Sequence, residues 1–185
     1  HAISNSRADH VLSGPGETQI LKLLEKLTSY SSKELSHTVE METLPWPAFD
    51  LLPDSQYVCT LTSRGCPFRC PYCASNLLFP GFVRRDPIEV MDELQHWYEK
   101  YSIHNVAFYD DALLLEAGKH ILVLLEEVNR RELPLKFHTP NGVHVSGLSE
   151  EVCESLFLSG FQTVRLGLET ADHERQHQLE TKVKP

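Results

Sequence analysis

The sequence lacks long hydrophobic runs and an excess of positive charge. None of its apolar stretches approaches the roughly 20 residues that a membrane-spanning helix needs. Its 17 lysine and arginine residues are outnumbered by 26 aspartate and glutamate residues, which gives a formal net charge of −9 over 185 residues. An acidic chain does not favour nucleic acid or another polyanion as a partner. We therefore expect a globular protein that binds neither membranes nor nucleic acid.

Cysteine is present, but not in a pattern that suits disulfide bonds. The five cysteines are an odd number, three of them are crowded between residues 66 and 73, and no signal peptide precedes them. Reduced cysteines in an acidic chain indicate the cytoplasm. Cys59 lies in a predicted strand, and Cys153 lies in a helix beside apolar residues, so we expect both thiols to be packed in the core.

Cys66, Cys70 and Cys73 have the spacing C-x3-C-x2-C within one short run. A cluster with four irons usually takes four protein ligands. Three thiolates would leave one iron with an open coordination site, which is where a metal does chemistry. Two other interpretations stay open, a structural zinc site and an electron-carrying cluster, and each would need a fourth ligand such as Cys59.

This cysteine run resembles the signature of radical S-adenosyl-L-methionine (SAM) enzymes. The aromatic Tyr72 before the last cysteine fits that pattern. The resemblance implies a 4Fe-4S cluster whose fourth iron is chelated by the amino and carboxylate groups of SAM. It also implies that Phe68 and Tyr72, the aromatic residues between the cysteines, contact the cofactor.

Three segments can be distinguished along the chain. Residues 1–30 form a helical lead-in, whose leucine-rich stripe from Ile20 to Leu27 should be buried against a partner. A glycine-containing turn precedes this helix, and the segment resembles the end of a cobalamin-binding domain. Residues 31–56 are a proline-rich linker, which Trp46 and Phe49 should anchor to the following core. Residues 57–185 would be an incomplete radical SAM core.

From residue 57 onward, short β-branched or aromatic segments alternate with helical patterns. Strands are predicted at 57–62, 105–110, 135–139 and 163–168. Helices are predicted to begin after Asp86, to span 117–131, and to run from Ser149 to Gly160. This alternation predicts right-handed crossovers and a parallel sheet. The fold class is therefore α/β, a partial parallel (β/α) barrel. Because radical SAM cores generally have six strands, the resemblance implies truncation after about four βα units.

Sites on parallel βα folds gather at the carboxyl ends of the strands. Asp110 and Asp111 follow the second predicted strand, His138 and Asn141 lie near the end of the third, and Arg165 and Glu169 near the end of the fourth. Side-chain alternation predicts that Val164, Leu166 and Leu168 face the helices, and that Asp111, His138, Arg165 and Glu169 face the barrel interior. Charged side chains in that position need partners or a charged ligand. The resemblance implies that Asp110 and Asp111 receive the SAM amino group. The motifs around Asn141 and at residues 164–170 resemble those of the cobalamin-linked subgroup.

The function implied by this resemblance is reductive cleavage of SAM to a 5′-deoxyadenosyl radical, or cobalamin-linked methyl transfer, on a substrate that the sequence does not identify. The implied cofactors are a 4Fe-4S cluster and SAM, with cobalamin for the subgroup. An electron donor such as a flavodoxin or a ferredoxin would be the partner. A non-catalytic iron–sulfur electron carrier and a structural zinc-binding domain are the alternatives.

Overall fold

A computed structural model describes residues 5–6, 8–14, 16–29, 41, 44–53 and 56–178. The chain divides into two units, one before and one after the boundary between residues 44 and 45. In the first unit, helix α1 spans Gly16–Leu27 and none of its residues is buried. The predicted stripe is present, but Ile20, Leu24 and Leu27 are exposed in this unit. Most of the predicted linker, residues 31–40 among it, lies outside the described residues.

The second unit contains six strands and five α-helices among the described residues. The strands are β1 (Tyr57–Thr60), β2 (Ser63–Gly65), β3 (Phe82–Arg84), β4 (Asn105–Phe108), β5 (Lys136–His144) and β6 (Phe161–Gly167). The helices are α2 (Ser75–Leu78), α3 (Pro87–Tyr101), α4 (Ile121–Arg130), α5 (Glu150–Leu158) and α6 (His173–Gln178). Short 3-10 turns lie at Phe49–Leu51, Ala117–Lys119 and Val145–Gly147. Within the described ranges, no helix is long and apolar enough to cross a membrane.

The main sheet has the strand order β1-β4-β5-β6, and every neighbouring pair is parallel. This confirms the predicted α/β fold with a four-stranded parallel sheet. Strands β2 and β3 form a separate antiparallel pair that the sequence analysis did not predict. The residues between β2 and β3 include the three closely spaced cysteines, so the cysteine run is a loop closed at its base by a two-stranded ribbon.

Helix starts follow the predicted capping chemistry. Asp86 precedes α3, and its Oδ1 accepts hydrogen bonds from the backbone N–H groups of Ile88 at 2.7 Å and Glu89 at 3.4 Å. Pro87 occupies the first helical position, where its missing N–H costs nothing. Ser149 Oγ accepts a hydrogen bond from Val152 N–H at 3.2 Å at the start of α5.

The core lies between the sheet and helices α3, α4 and α5. Phe108, Phe137 and Phe161 come from β4, β5 and β6, and their ring centroids are 5.2–5.8 Å apart across the sheet. Aromatic contacts at such separations add to the free energy gained from burial. From the predicted linker, Trp46 lies against His96 and Phe49 against Trp97, with centroids 5.2 and 5.5 Å apart.

Two expectations about packing are wrong. Cys153 is exposed, because the buried face of α5 carries Val152 and Leu156 while Cys153 and Phe157 lie on the opposite face one helical turn apart. Val164, Leu166 and Leu168 are also exposed rather than covered by helices, since β6 is the edge strand of the sheet. All five cysteines are free thiols in the structure.

A buried histidine makes stability depend on pH. Only 2% of His120 is exposed. Burial lowers the pKa of His120 from 6.5 to about 4, and the positive charge of Arg84 acts in the same direction, against a hydrogen bond with the Thr62 backbone and the charge of Asp86. The unfolded chain therefore binds a proton below pH 6.5 that the folded chain binds only near pH 4.

We expect the contribution of His120 to the free energy of unfolding to fall by about 3 kcal/mol as the pH decreases from 6.5 to 4, since each pKa unit corresponds to about 1.4 kcal/mol, while the raised pKa of Asp110 acts in the opposite direction. Urea unfolding at a series of pH values measures this loss. The variant His120→Gln should lose less stability across the same window. Because the folded-state pKa of His120 is depressed, stability is lost as the pH falls. Glu127, whose pKa is lowered to about 2 by Arg130 and Arg131, adds to this loss of stability only below pH 4.5. An unchanged pH dependence in His120→Gln would exclude His120 as the cause.

Candidate functional site

The cysteine loop begins at a tight turn that only glycine fits. Gly65 ends β2 with φ of +85°, a conformation that side chains with a Cβ rarely adopt. A Cβ at this position would overlap the carbonyl oxygen of Gly81 at the other end of the loop, and would lie 2.7 Å from Phe79 Cδ1. The close approach of Gly65 and Gly81 therefore closes the base of the loop, and Cys66 follows directly.

We expect Gly65→Ala to destabilise the protein by at least about 2 kcal/mol, because the new methyl group must displace backbone and adopt a strained φ. Gly118→Ala is the matched control, since a Cβ at Gly118 would meet no atom within 4 Å. Thermal unfolding of both variants measures the difference. Equal transition temperatures for the two variants would contradict the close approach at the loop base.

All three cysteines of the loop border one cavity of about 290 Å³. Cys66 and Cys70 are buried, whereas Cys73 is exposed. The opposite wall comes from the carboxyl ends of β4, β5 and β6, as expected for a parallel sheet. The residues lining the cavity are Cys66, Phe68, Cys70, Cys73, Ser75, Asp110, Asp111, Asn141, Gly142, Val143, His144, Gly167 and Glu169.

The arrangement of the thiols fits a cluster better than a single ion. Within the part of the chain that the structure describes, no three His, Cys, Asp or Glu side chains converge closely enough to hold one metal ion. A structural zinc site needs four ligands around a single point. In a 4Fe-4S cube each thiolate binds a different iron, so thiols spread around one cavity suit it. Cys59, one candidate for the fourth ligand that the alternatives would need, does not line this cavity.

Neighbouring groups support the sulfur atoms. The backbone N–H of Ser75 donates to Cys73 Sγ at 3.4 Å, and the hydroxyl of Ser75 lies 3.2 Å from the same sulfur. Hydrogen bonds of this kind tune the ligands of metal sites. Asn76 Nδ2 donates to the carbonyl oxygen of Phe68 at 2.6 Å, which ties α2 to the loop. Tyr72 is half exposed, and partial burial, Cys70 and Glu169 together raise the pKa of its hydroxyl.

Asp110 is a buried carboxylate that connects the sheet to the loop. It is 2% exposed, and its Oδ1 accepts hydrogen bonds from Thr62 Oγ1 at 2.7 Å, Ser63 Oγ at 2.6 Å and Thr62 N–H at 3.1 Å. Desolvation raises the pKa of Asp110, while the hydrogen bonds from Ser63 and Thr62 oppose that shift. Asp110 thus fixes the start of β2, which leads into the cysteine loop, and it also lines the cavity.

Other polar residues border the cavity at the strand ends. Asp111 is exposed beside Asp110 and Asn141 Nδ2 donates to the carbonyl oxygen of Tyr109 at 2.8 Å. Glu169 follows β6 with φ of +59°, an unfavourable conformation for a residue other than glycine. Backbone strain of this kind is found where a side chain is held for function. Besides the three cysteines, the polar side chains that line the cavity are Ser75, Asp110, Asp111, Asn141, His144 and Glu169, three of which are carboxylates.

Three predicted site residues do not line the cavity. His138 is on β5, with Nδ1 3.0 Å from Thr163 Oγ1 on β6 and Nε2 3.3 Å from Asn105 Oδ1 on β4. Arg165 Nη1 donates to the carbonyl oxygen of Pro140 at 3.3 Å. Neither residue lines the cavity, because these contacts hold both side chains against neighbouring strands. Tyr72 does not line it either, although it interacts with Cys70 and Glu169.

Sequence reasoning missed Ser75, Val143 and His144 among the cavity residues. The third strand was predicted to end at Thr139, since Pro140 and the following Asn141-Gly142 are typical of a turn. The strand instead continues to His144, with a break in its pairing to β6 between Thr139 and Val143. A bulge accommodates a proline within a strand, so the proline itself was the available signal.

The chain is similar to several known proteins. The family model described as the radical SAM superfamily matches residues 60–184. An uncharacterized methyltransferase of Pyrococcus horikoshii, PH0819, is 30% identical over 139 residues, which are 71% of this chain and 30% of that protein. The uncharacterized methyltransferase sll1242 of Synechocystis is 27% identical over 182 residues, 93% of this chain and 34% of that protein. The chain thus spans about a third of the length of these curated relatives.

A third relative is more distant. Cytidylyl-2-hydroxyethylphosphonate methyltransferase of Streptomyces wedmorensis is 24% identical over 162 residues, 77% of this chain and 29% of that protein. Among solved structures, the radical SAM methyltransferase TsrM of Kitasatospora setae with cobalamin and a 4Fe-4S cluster bound gives a TM-score of 0.54 at 24% identity, covering 60% of this chain and 22% of that one. TsrM with tryptophan and a SAM analogue bound gives 0.58 at 23% identity, covering 64% and 23%. These structures share the fold.

Proposed function

We propose that this chain, which belongs to the radical SAM superfamily, is the catalytic core of a SAM-dependent methyltransferase that holds a 4Fe-4S cluster on Cys66, Cys70 and Cys73. The single observation that carries the proposal is the cavity that these three thiols share with the carboxylates at the strand ends. When bound, such a cluster supplies the open iron and the electron that activate SAM. Methyl transfer is the chemistry named for the curated relatives.

The chain's own residues would bind and orient SAM. SAM carries a positive sulfonium and an amino group whose N–H bonds can still donate when its nitrogen binds iron, and Asp111 and Glu169 present carboxylates to the same cavity. In a partly buried site these opposite charges attract more strongly than in water. Asn141 and Phe68 add an amide and an aromatic surface. Arg165 and His138 would act through the strand ends that they contact rather than by touching SAM.

Cobalamin is a further part of the proposal. The resemblance of residues 7–17 to the end of a cobalamin-binding domain supports it, as does the cobalamin bound to TsrM. A one-electron donor such as a flavodoxin or a ferredoxin would keep the cofactors reduced. Free thiols at all five cysteines suit a reducing compartment such as the cytoplasm.

Anaerobic reconstitution with iron and sulfide tests the proposal. We expect a brown protein whose reduced cluster changes its electron paramagnetic resonance spectrum when SAM is added. With hydroxocobalamin and a reductant present, S-adenosylhomocysteine as the product would support methyl transfer, whereas 5′-deoxyadenosine would show radical cleavage instead. A cluster that does not respond to SAM would indicate an electron carrier. One equivalent of zinc in a colourless protein would exclude the cluster altogether.

A further inference from the structure

A second, smaller cavity adjoins the cysteine cavity, and we call it the side cavity. It has a volume of about 140 Å³ and lies between the cysteine loop, the segment after β4 and the end of β5. Most of its lining is aliphatic or aromatic. The residues that line it are Phe68, Ala112, Leu114, Leu115, Glu116, His144, Ser146 and Gly147. The volume is close to that of an apolar cavity of about 150 Å³ that holds one benzene molecule.

Two aromatic rings separate the side cavity from the cysteine cavity. Phe68 and His144 line both. Their ring centroids are 4.5 Å apart with the planes tilted by 49°, so they pack against each other. Phe68 comes from the cysteine loop and His144 from the end of β5. A group in the side cavity and a ligand in the cysteine cavity would therefore both contact Phe68 and His144.

The charged residues at the side cavity favour an uncharged ligand. Glu116 is the one acidic residue among those that line the side cavity. It is ion-paired with Arg84 at 2.9 Å and with Lys119 at 2.7 Å, and hydrogen bonds from both cations lower the pKa of its carboxyl. A cationic ligand would have to compete with these two partners. An anionic ligand would meet the carboxylate and apolar walls, which do not solvate charge.

We propose that the side cavity binds a compact, uncharged apolar group of the acceptor substrate, about the size of one six-membered ring. The identification of this group as part of a methyl acceptor rests on the proposed function, whereas the binding of an apolar group does not. Burial of a ring among Leu114, Leu115 and Phe68 provides the affinity. Because Phe68 and His144 line both cavities, the rest of the substrate would extend past these two rings toward the cysteine cavity.

Fluorobenzene is a suitable probe, followed by ligand-observed fluorine NMR with the full chain. The variant Ser146→Phe should fill the side cavity, because Ser146 lines it. Since Ser146 is exposed, the larger phenylalanine side chain need not displace core residues. Ser29→Phe is the matched control, since Ser29 is exposed in the first unit of the chain. We expect the wild type and Ser29→Phe to broaden the probe signal equally, and Ser146→Phe to bind the probe about tenfold more weakly.

The outcome separates this inference from the proposed function. Absence of broadening in the wild type, or equal broadening in Ser146→Phe and Ser29→Phe, would overturn the side-cavity proposal. The SAM-induced spectral change of the reconstituted cluster, measured on the same samples, tests the proposed function alone. If the probe binds but SAM does not change the spectrum of the cluster, the site would still bind an apolar group, but that group could no longer be identified as part of a methyl acceptor.

Discussion

Replacement of Cys66 or Cys70 by alanine is expected to reduce the iron and sulfide content after anaerobic reconstitution to background. Both thiols are buried in the wall of the cysteine cavity, so no other cysteine can take their place without moving the loop. A cluster attached through only two protein ligands would be held too weakly to survive desalting. Iron and sulfide analysis, together with the visible absorbance, measures the loss.

Two other cysteines provide matched controls for this experiment. Cys153 is exposed on α5 and Cys59 lies on β1 outside the cavity lining. The same change to alanine at either position should leave the iron content as in the wild type. A large loss in Cys59→Ala would instead support the electron-carrier alternative, in which Cys59 is the fourth ligand. Full iron content in Cys66→Ala would contradict the proposed cluster site.

Removal of the Asp110 carboxylate should be the most damaging change away from the cysteines. In Asp110→Ala, two hydroxyl groups and a backbone N–H at Thr62 and Ser63 lose their acceptor in a buried position. Each such group costs about 1–3 kcal/mol when left unsatisfied, so we expect a loss of at least about 3 kcal/mol. Since whole domains are stable by only about 5–15 kcal/mol, this loss would remove a large share of the total stability. Urea unfolding of the cluster-free protein measures this change.

Asp111→Ala is the natural control, because Asp111 borders the same cavity but is exposed. Its removal should change the free energy of unfolding by less than about 0.5 kcal/mol. Asp110→Asn keeps the shape but replaces one acceptor oxygen by a donor, and should fall between the two alanine variants. Equal stability of Asp110→Ala and Asp111→Ala would refute an anchoring role for Asp110.

The parallel sheet could be predicted because its signals are local. Asp86 and Ser149 cap helices through their own side chains, and short apolar strands between such helices leave few topologies. The cavity could be predicted in outline for the same reason, since strand ends in a parallel sheet share one edge. The cysteine spacing, Phe68, Asp110, Asp111, Asn141 and Glu169 all belong to this predictable part of the site.

Orientation within the site was not predictable from alternation. Alternation predicts that Asp111 faces the interior. In the structure Asp110 is the buried residue of the pair, and Asp111 is exposed. A hydrogen-bond network among Asp110, Thr62 and Ser63 joins residues 48 positions apart, and no local pattern encodes it. The same holds for His138, whose partners on β4 and β6 follow from strand register. The β2–β3 ribbon was missed because each strand has only three residues.

That ribbon has a consequence for how a metal cofactor would assemble. The pairing of Ser63 with Arg84 and of Gly65 with Phe82 holds both ends of the intervening segment together through contacts of the polypeptide alone. Most of the entropy lost in bringing distant chain ends together is therefore spent when the polypeptide folds. Incoming iron and sulfide need to order only the interior of the segment. The ribbon thus positions the cysteine segment in advance, and the inorganic core should be taken up without unfolding the sheet.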